Sequence, residues 1–319
     1  VYKRQGLRCL SEKYPEFKSF ILSFSWFLPS LPYAYGVPKI HKANCPFRPI
    51  ISYINCPAYK RSKHVASLLS PHLGSYSPSH LKHSGDLLSR LKSLSLNPSD
   101  KFVSFDAVSL FTNVPLEPCL EFLSRKLPAI QSSFPISVPC LIHLIRLTSA
   151  NSYFSFNGNF YQQIFGFAMG NPLSPVLSNF FLEHVESELI PKFSGSKPFF
   201  FVRYVDDILA AVHPDFDLHA FLSFLNSLYP SLKFTFEWES KNRIPFLDVL
   251  IFRSNSSLKF KVYRKATHSN SYLHYFSFHA KSIKLSVPQG LFLRALRICS
   301  PEFLPEINFI FSSFTKLAY

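Results

Sequence analysis

The sequence predicts a mixed α+β fold with an antiparallel sheet, and two observations support this most directly. Two apolar runs meet at the acidic pair Asp206-Asp207, which is typical of a β-hairpin with its turn at these two residues. A third apolar run, residues 101–105, ends at Asp106 and predicts a strand that could lie beside the hairpin. The chain has 319 residues, 47% of them hydrophobic, so it is long enough to bury a large core.

The other elements follow in chain order. Proline and glycine around short apolar runs predict two strands joined by a loop in residues 33–53. Asn157-Gly158 between two aromatic runs predicts a hairpin with a primed turn. The spacing of apolar residues predicts helices within 58–95, 116–127, 138–150 and 215–229, strands at 232–239, 244–253 and 258–264, and short basic helices from about residue 270.

The charge of the chain is strongly positive. There are 34 Lys and Arg against 19 Asp and Glu, which leaves a net charge of +15. A folded protein with such an excess is suited to a polyanion, and nucleic acid is the commonest one. A basic protein without a special partner is the alternative.

Six cysteines occur without a C-x-x-C pair or a regular spacing. They are interpreted as free thiols of a reducing compartment, the nucleus or the cytoplasm, and we expect neither disulfides nor structural zinc. The apolar segment 17–28 is too short to span a membrane, so no membrane partner and no secretion are expected. The chain begins at Val1 and contains a single Met, and we expect it to be a fragment of a longer product.

The three carboxylates predict a metal site. If the strand ending at Asp106 lies next to the hairpin, Asp106 and Asp206 face each other across one sheet, an arrangement that could hold two Mg²⁺ ions about 4 Å apart for in-line phosphoryl transfer. An adjacent acidic pair such as Asp206-Asp207 repels itself and is best tolerated where a divalent cation neutralises it. A solvated turn is the alternative, because Asp is a common turn residue.

Basic residues flank the loop predicted between the first two strands. Lys39, Lys42 and Arg48 would project from it, and such side chains can hold a triphosphate, arginine by paired hydrogen bonds and lysine as a point charge. Solvated loop charges are the alternative here. Further along, Gly170 lies in a loop that leads into a helix predicted to begin at Pro172, where glycine exposes backbone N–H groups and lets another chain approach closely.

Taken in order, these motifs resemble those of a reverse transcriptase. The order is that found in the family: first the basic β-loop, then the strand ending in Asp106, the G-x-P-L-S-P loop at 170–175 and the Y-V-D-D hairpin at 204–207. The resemblance covers roughly residues 33–265. Asn171 departs from the family's usual serine, a small polar exchange that we expect to be tolerated.

Within that family the resemblance is strongest to the Penelope-like retroelements, relatives of telomerase. The motifs that indicate this group are G-x-P-K-x-H-K at 36–42, R-P-I at 48–50, F-L-D at 246–248 and Y-R-K-x-T-H at 263–268. Members of the group often carry a C-terminal GIY-YIG endonuclease, and no such sequence occurs before Tyr319. The resemblance implies a right-hand polymerase fold, with an N-terminal extension at 1–29, fingers at 30–100, a palm at 101–265 and a thumb-like segment at 266–319 that is similar to a helix-turn-helix.

The resemblance also implies an activity, RNA-templated synthesis of DNA from deoxynucleoside triphosphates. Asp106 and Asp206 would coordinate two Mg²⁺ ions, for which Mn²⁺ can substitute, and Asp207 would support the site. Phe111, five residues after Asp106, would exclude the ribose 2′-hydroxyl. The residues assigned to the incoming nucleotide are Lys39, Lys42, Arg48, Phe111 and Gly170.

The implied partners are an RNA template and a DNA primer, with no protein partner. A catalytically silent, domesticated remnant that only binds nucleic acid is the alternative from another functional class. A third interpretation treats the C-terminal helices as an independent DNA-binding helix-turn-helix. That interpretation is weaker, because such a module would need its own core.

Overall fold

The structure is a computed structural model that describes residues 2–17, 30–40, 44–150, 152–254, 257–303 and 305–318. It divides into two compact units, each assembled from separate stretches of chain. The first unit contains Val1–His80, Ala107–Ser194 and His219–Phe234, and the second contains Leu81–Asp106, Gly195–Leu218 and Thr235–Tyr319. The predicted segments for fingers, palm and thumb stay a prediction.

Helices and strands alternate along the chain, as expected for an α+β fold. The helices are α1 (Tyr2–Lys13), α2 (Pro57–Leu69), α3 (Ser84–Lys92), α4 (Leu110–Asn113), α5 (Leu116–Lys126), α6 (Val138–Ser149), α7 (Ser174–His184), α8 (Leu218–Leu228), α9 (Lys281–Ile298) and α10 (Pro305–Thr315). The strands are β1 (Tyr33–Pro38), β2 (Phe47–Ser52), β3 (Lys101–Ala107), β4 (Ser152–Phe156), β5 (Asn159–Gln163), β6 (Phe200–Tyr204), β7 (Asp207–Val212), β8 (Phe234–Trp238), β9 (Arg243–Phe246), β10 (Val249–Ser254) and β11 (Ser257–Val262).

The first unit contains a four-stranded sheet in the order β2-β1-β4-β5. Its two hairpins, β1–β2 and β4–β5, are antiparallel, and β1 pairs with β4 in parallel at Tyr33 and Ser155. Asn157 and Gly158 have φ of +47° and +79°, which is the left-handed pair that a primed turn requires. The predicted Asn-Gly hairpin is therefore confirmed.

The helical core of the first unit is formed by α5, α6 and α7. Helix α7 lies in the interior: every residue from Val176 to His184 is buried. The apolar side chains that α5 and α6 bury include Leu120, Phe122, Leu123, Leu141, Leu144 and Ile145.

The second unit contains a four-stranded sheet, β6-β7-β3-β8, and a three-stranded sheet, β11-β10-β9. One hydrophobic core joins strands of both sheets to α3, α9 and α10, and it includes Leu88, Phe102, Leu209, Phe260 and Ile298. Helix α3 fits this core because Leu87, Leu88 and Leu91 form one buried stripe. The α+β class predicted from the sequence is confirmed.

Two of the predicted elements are divided. The helical pattern over 58–95 forms α2 and α3, with a single 3₁₀ turn at Ser70–His72 after α2. The predicted strand 244–253 is two strands, β9 and β10, because Phe246 pairs with Val249 across a two-residue turn. Leu247 in this turn has φ of +54°, and a left-handed leucine at a turn cannot be foreseen from an apolar pattern.

No single helix in the described ranges is both long and apolar enough to cross a membrane. Leu116–Ser133 and Val138–Ser149 reach that length and composition only as a pair bent by 120°. The six cysteines are all free thiols.

Candidate active site

The acidic hairpin is formed by β6 and β7. Tyr204 pairs with Asp207 across a two-residue turn, so the turn is Val205-Asp206 and the predicted turn at Asp206-Asp207 is wrong by one residue. Val205 has φ of +56°, an unusual conformation for a β-branched residue. Asp207 is thus the first residue of β7, and of the two carboxylates only Asp206 lies in the turn.

A buried arginine supports this strained turn. Arg203 is 0% exposed, and its Nη1 donates to the Val205 carbonyl oxygen at 3.0 Å. Its own carbonyl accepts the Leu81 N–H at 2.8 Å. Arg203 was not among the residues predicted from the sequence, although a charged residue inside an otherwise apolar strand next to an acidic turn is a signal that could have pointed to it.

The neighbour of this hairpin is β3, as the sequence predicts. The register places Asp106 opposite Asp207, whereas the sequence analysis placed it opposite Asp206. Paired residues of antiparallel strands point to the same face, so Asp106 and Asp207 share one face, and Asp206 lies in the turn just before Asp207. The expected pairing is corrected because the turn begins one residue earlier than the acidic pair suggests.

The three carboxylates influence one another electrostatically. Desolvation, followed by the negative charges of Asp206 and Asp106, raises the pKa of Asp207 from 3.8 to about 6, and the positive charge of Lys265 opposes this rise. Lys265 is a second site residue that the sequence analysis missed, and its signal was the Y-R-K-x-T-H motif.

This donor set fits a hard divalent cation by its chemistry. Three carboxylates supply only oxygen ligands, which suit Mg²⁺ and Mn²⁺, and a cation would relieve their mutual repulsion. Within the described residues, no group of three or more His, Cys, Asp or Glu side chains is gathered closely enough to hold a metal ion. The register aligns Asp106 with Asp207, and coordination of a metal ion by the three carboxylates stays a prediction.

The predicted triphosphate contacts lie in the first unit. Arg48 is exposed in β2 and pairs with Val37. Lys39 follows β1 directly, and its N–H donates to the Pro46 carbonyl at 2.9 Å. Lys42 lies outside the described residues. These assignments stay predictions.

Gly170 lies where the chain passes closest to β2. It has φ of +123°, and a Cβ at this position would lie well under 3.0 Å from the Ile51 carbonyl oxygen. The Ile51 N–H donates to the Met169 carbonyl at 2.7 Å. Glycine is thus needed for the approach of the chain's own strand, and the role of Gly170 toward a nucleotide stays a prediction.

The loop after Gly170 is organised by Asn171 and Ser174. Asn171 is buried, and its Oδ1 accepts the Leu173 N–H at 3.0 Å. Ser174 donates through Oγ to the Ala168 carbonyl at 2.8 Å. The helix begins at Ser174, two residues after the predicted start, because these two side chains fold the preceding residues into a turn.

Phe111 is the second residue of the short helix α4 and is half-buried. Its carbonyl accepts the Phe167 N–H at 2.6 Å, and a Cβ at Gly166 would overlap the backbone of Thr112. The loop at 166–167 therefore fixes the backbone of Phe111. Its role in excluding ribonucleotides stays a prediction.

Asp106 of β3 is aligned with Asp207 of the β6–β7 hairpin, whose turn carries Asp206, and the family comparison defines the class of protein as a nucleic-acid polymerase. The chain belongs to the reverse transcriptase family: the family described as "Reverse transcriptase (RNA-dependent DNA polymerase)" matches residues 40–240. A second family, the animal helix-turn-helix domain, matches residues 271–319, in agreement with the similarity predicted for the C-terminal segment.

Solved polymerases share the fold. Telomerase from Candida albicans in complex with a TWJ fragment of telomeric RNA matches with a TM-score of 0.61 and 16% identity, over 90% of this chain and 55% of that chain. Telomerase from Candida tropicalis in the corresponding complex gives 0.59 and 13%, over 97% and 56%. The Sicinivirus 3Dpol RNA-dependent RNA polymerase gives 0.52 and 12%, over 82% and 56%.

These similarities establish the polymerase fold that the sequence predicted. The chain spans little more than half the length of the telomerase chains it matches. No curated protein matches the chain at a significant level.

Proposed function

We propose that this protein is the RNA-directed DNA polymerase of a Penelope-like retroelement and that it works by a two-metal mechanism. The observation that supports this most directly is the meeting of Asp106, Asp206 and Asp207 at one end of a sheet within the segment that matches the reverse transcriptase family. The substrates would be deoxynucleoside triphosphates and a DNA primer annealed to an RNA template.

Each carboxylate has a distinct part in this proposal. Asp106 and Asp206 would hold two Mg²⁺ ions, or Mn²⁺ ions in their place, and Asp207 would support them. When bound, the ions would lower the pKa of the primer 3′-hydroxyl and stabilise the leaving pyrophosphate. The chain itself fixes the donors: the register of β3 against β7 aligns Asp106 with Asp207, and Arg203 holds the turn that carries Asp206.

The Penelope-like assignment is supported by the motifs at 36–42, 48–50, 246–248 and 263–268. The helix-turn-helix match at 271–319 is compatible with it, since that group's thumb-like segment lies there. The telomerase neighbours were solved with a fragment of telomeric RNA, which supports RNA as the partner proposed here.

The helix-turn-helix match also favours a second candidate, a protein that binds nucleic acid without copying it. Within the second unit, however, Ala295 and Ile298 of α9 and Ile310 and Phe314 of α10 lie in the same core as Phe260 of β11. The two helices therefore share the core of the carboxylate-bearing unit, which supports a role as part of the polymerase.

The test is primer extension on an RNA template. We expect Asp206→Asn and Asp106→Asn each to abolish extension, because loss of one ligand charge removes several kcal/mol of transition-state stabilisation. Asp207→Asn should cost less. Asp215→Asn, an exposed carboxylate beyond the other end of β7, is the matched control and should extend normally.

Primer–template affinity is measured on the same variants. Retained binding with lost extension supports the metal assignment. Near-normal extension by Asp106→Asn or Asp206→Asn would contradict the mechanism, and a wild-type protein that binds but never extends would support the silent remnant.

The nucleotide assignment has its own test. Lys39→Ala and Arg48→Ala should raise the KM for the nucleotide more than the Kd for primer–template, because charge-assisted contacts to a triphosphate are lost. The reverse order would move these residues to the path of the template.

A further inference from the structure

One face of the four-stranded sheet in the first unit carries exposed aromatic rings. Tyr33 and Tyr35 of β1 are 51% and 44% exposed, and their ring centroids lie 5.9 Å apart. Side chains alternate between the two faces of a strand. Ala34, between the two tyrosines, and Ile51, its partner in β2, face the opposite side, where they belong to a small core.

The register extends this aromatic face onto the second hairpin. Ser155 is aligned with Tyr33 in the parallel pair and with Phe160 in the antiparallel pair, so Phe160 lies on the same face as Tyr33. Tyr153, two residues before Ser155, lies there too. Tyr153 and Phe160 are 44% and 73% exposed. We call Tyr33, Tyr35, Tyr153 and Phe160 the aromatic face.

The charges around the aromatic face favour an anionic partner. None of the four strands contains Asp or Glu. Arg48 pairs with Val37, which places its exposed side chain on the same side as Tyr35. The surface therefore combines planar rings with a nearby arginine and no carboxylate in its strands, on a chain with a net charge of +15. Such a surface complements an anion that carries flat apolar groups.

Single-stranded nucleic acid has this chemistry. Its unpaired bases offer π-faces that stack on aromatic side chains, and its phosphates meet basic groups. In a duplex the bases are already stacked on one another, so their faces are not available. A row of tyrosines on one face of a four-stranded sheet is a common solution for binding unpaired strands.

We propose that the aromatic face binds an unpaired nucleic-acid strand by stacking its bases on these four rings. The inference deepens the proposed function and rests on it only where the strand is taken to be the template. Binding itself requires neither nucleotides nor the carboxylates.

The test is equilibrium binding of short fluorescent oligonucleotides, measured by anisotropy with no nucleotide and no divalent cation present. Tyr35→Ala and Phe160→Ala should each weaken binding of a single strand by about 5-fold or more, because base–aromatic stacking is worth about 1–3 kcal/mol per base. Tyr35→Phe keeps the ring and should bind nearly as the wild type does.

The matched control is Phe156→Ala. Phe156 lies in the same hairpin and is 52% exposed, but it pairs with Asn159 on the other face. It should leave single-strand affinity within about 2-fold of wild type, a change smaller than one stacked ring supplies. Circular dichroism of each variant verifies that the sheet is intact.

The probes separate the possible outcomes. A ring-dependent loss for single-stranded RNA or DNA, with weaker binding of the corresponding duplex, supports the inference, and tighter binding of RNA assigns the strand to the template. Equal loss in Phe156→Ala, unchanged affinity in Tyr35→Ala and Phe160→Ala, or equal binding of the duplex would overturn it.

The same measurements in the Asp206→Asn background distinguish this inference from the proposed function. If the wild type never extends a primer but binding still depends on the rings, the proposed function fails and the aromatic face stands. If extension depends on Asp206 but ring variants bind as the wild type does, the aromatic face fails and the proposed function stands.

Discussion

Replacement of Gly170 by alanine tests the packing of the loop before α7. Gly170 has φ of +123°, a conformation that residues with a Cβ rarely adopt, and the added methyl would overlap the Ile51 carbonyl oxygen. The loop cannot simply yield, because the Ile51 N–H is bound to the Met169 carbonyl at 2.7 Å. Alanine must therefore strain the backbone and also separate the loop from β2.

The expected cost follows from these two effects. A residue held in a disfavoured backbone region costs about 1–3 kcal/mol. Loss of the hydrogen bond between Ile51 and Met169 costs a further 0.5–1.5 kcal/mol or so. We therefore expect Gly170→Ala to lower the free energy of unfolding by about 2–4 kcal/mol.

The chain offers a control that isolates the steric effect. Gly158 also has a positive φ, +79°, but nothing lies within 4 Å of a Cβ built there. Gly158→Ala should thus show only the backbone cost, about 1–2 kcal/mol. Urea denaturation followed by circular dichroism measures both variants under the same conditions.

The difference between the two variants decides the question. If Gly170→Ala destabilises the protein no more than Gly158→Ala does, the close approach to Ile51 is not a constraint and the reasoning is refuted. If Gly170→Ala is the less stable variant but extends primers normally at low temperature, the substitution affects stability and not activity.

The other predictions concern separate parts of the chain. Because the pKa of Asp207 is raised from 3.8 to about 6, the folded state binds more protons than the unfolded state between these pH values. The free energy of unfolding, measured in the presence of a chelator, should therefore fall as the pH rises through this window. Asp207→Asn should flatten this pH profile. Phe111→Val should admit ribonucleotides, with the ratio of kcat/KM for dGTP over GTP falling about 10–200-fold; an unchanged ratio in an active variant would return Phe111 to a purely structural role. Glu239→Ala should destabilise the protein by about 3–5 kcal/mol in urea, because it leaves the guanidinium of Arg253, only 10% exposed, without its carboxylate. Glu302→Ala removes an exposed ion pair and, as the control, should cost less than about 1 kcal/mol; equal losses would contradict the importance of burial.

Local patterns were sufficient for the fold class and for several elements. Asn157-Gly158 specifies its own turn, since few other residue pairs adopt two consecutive left-handed conformations. The carboxylates at Asp106, Asp206 and Asp207 were recognised because each ends or begins an apolar run. Alternation and helical spacing act over neighbouring residues, so the sequence displays them directly.

Strand pairing and the faces on which side chains lie depend on segments distant in the chain, and these features were decided by the tertiary structure. The pairing of Asp106 with Asp207 required the turn to begin at Val205, whose left-handed conformation the apolar pattern did not indicate. A one-residue shift of a strand exchanges its two faces, so neither the partner of Asp106 nor the membership of the aromatic face could be read from composition.

The sequence by itself determined that this protein has an α+β fold, a basic surface and three carboxylates in the order of a reverse transcriptase. Only the tertiary structure decided which carboxylates are aligned, why Gly170 must lack a side chain, and that Tyr33, Tyr35, Tyr153 and Phe160 lie on one face. The physical reason is that periodicity encodes which side of an element is buried, whereas register is fixed by packing and hydrogen bonds between strands far apart in the chain.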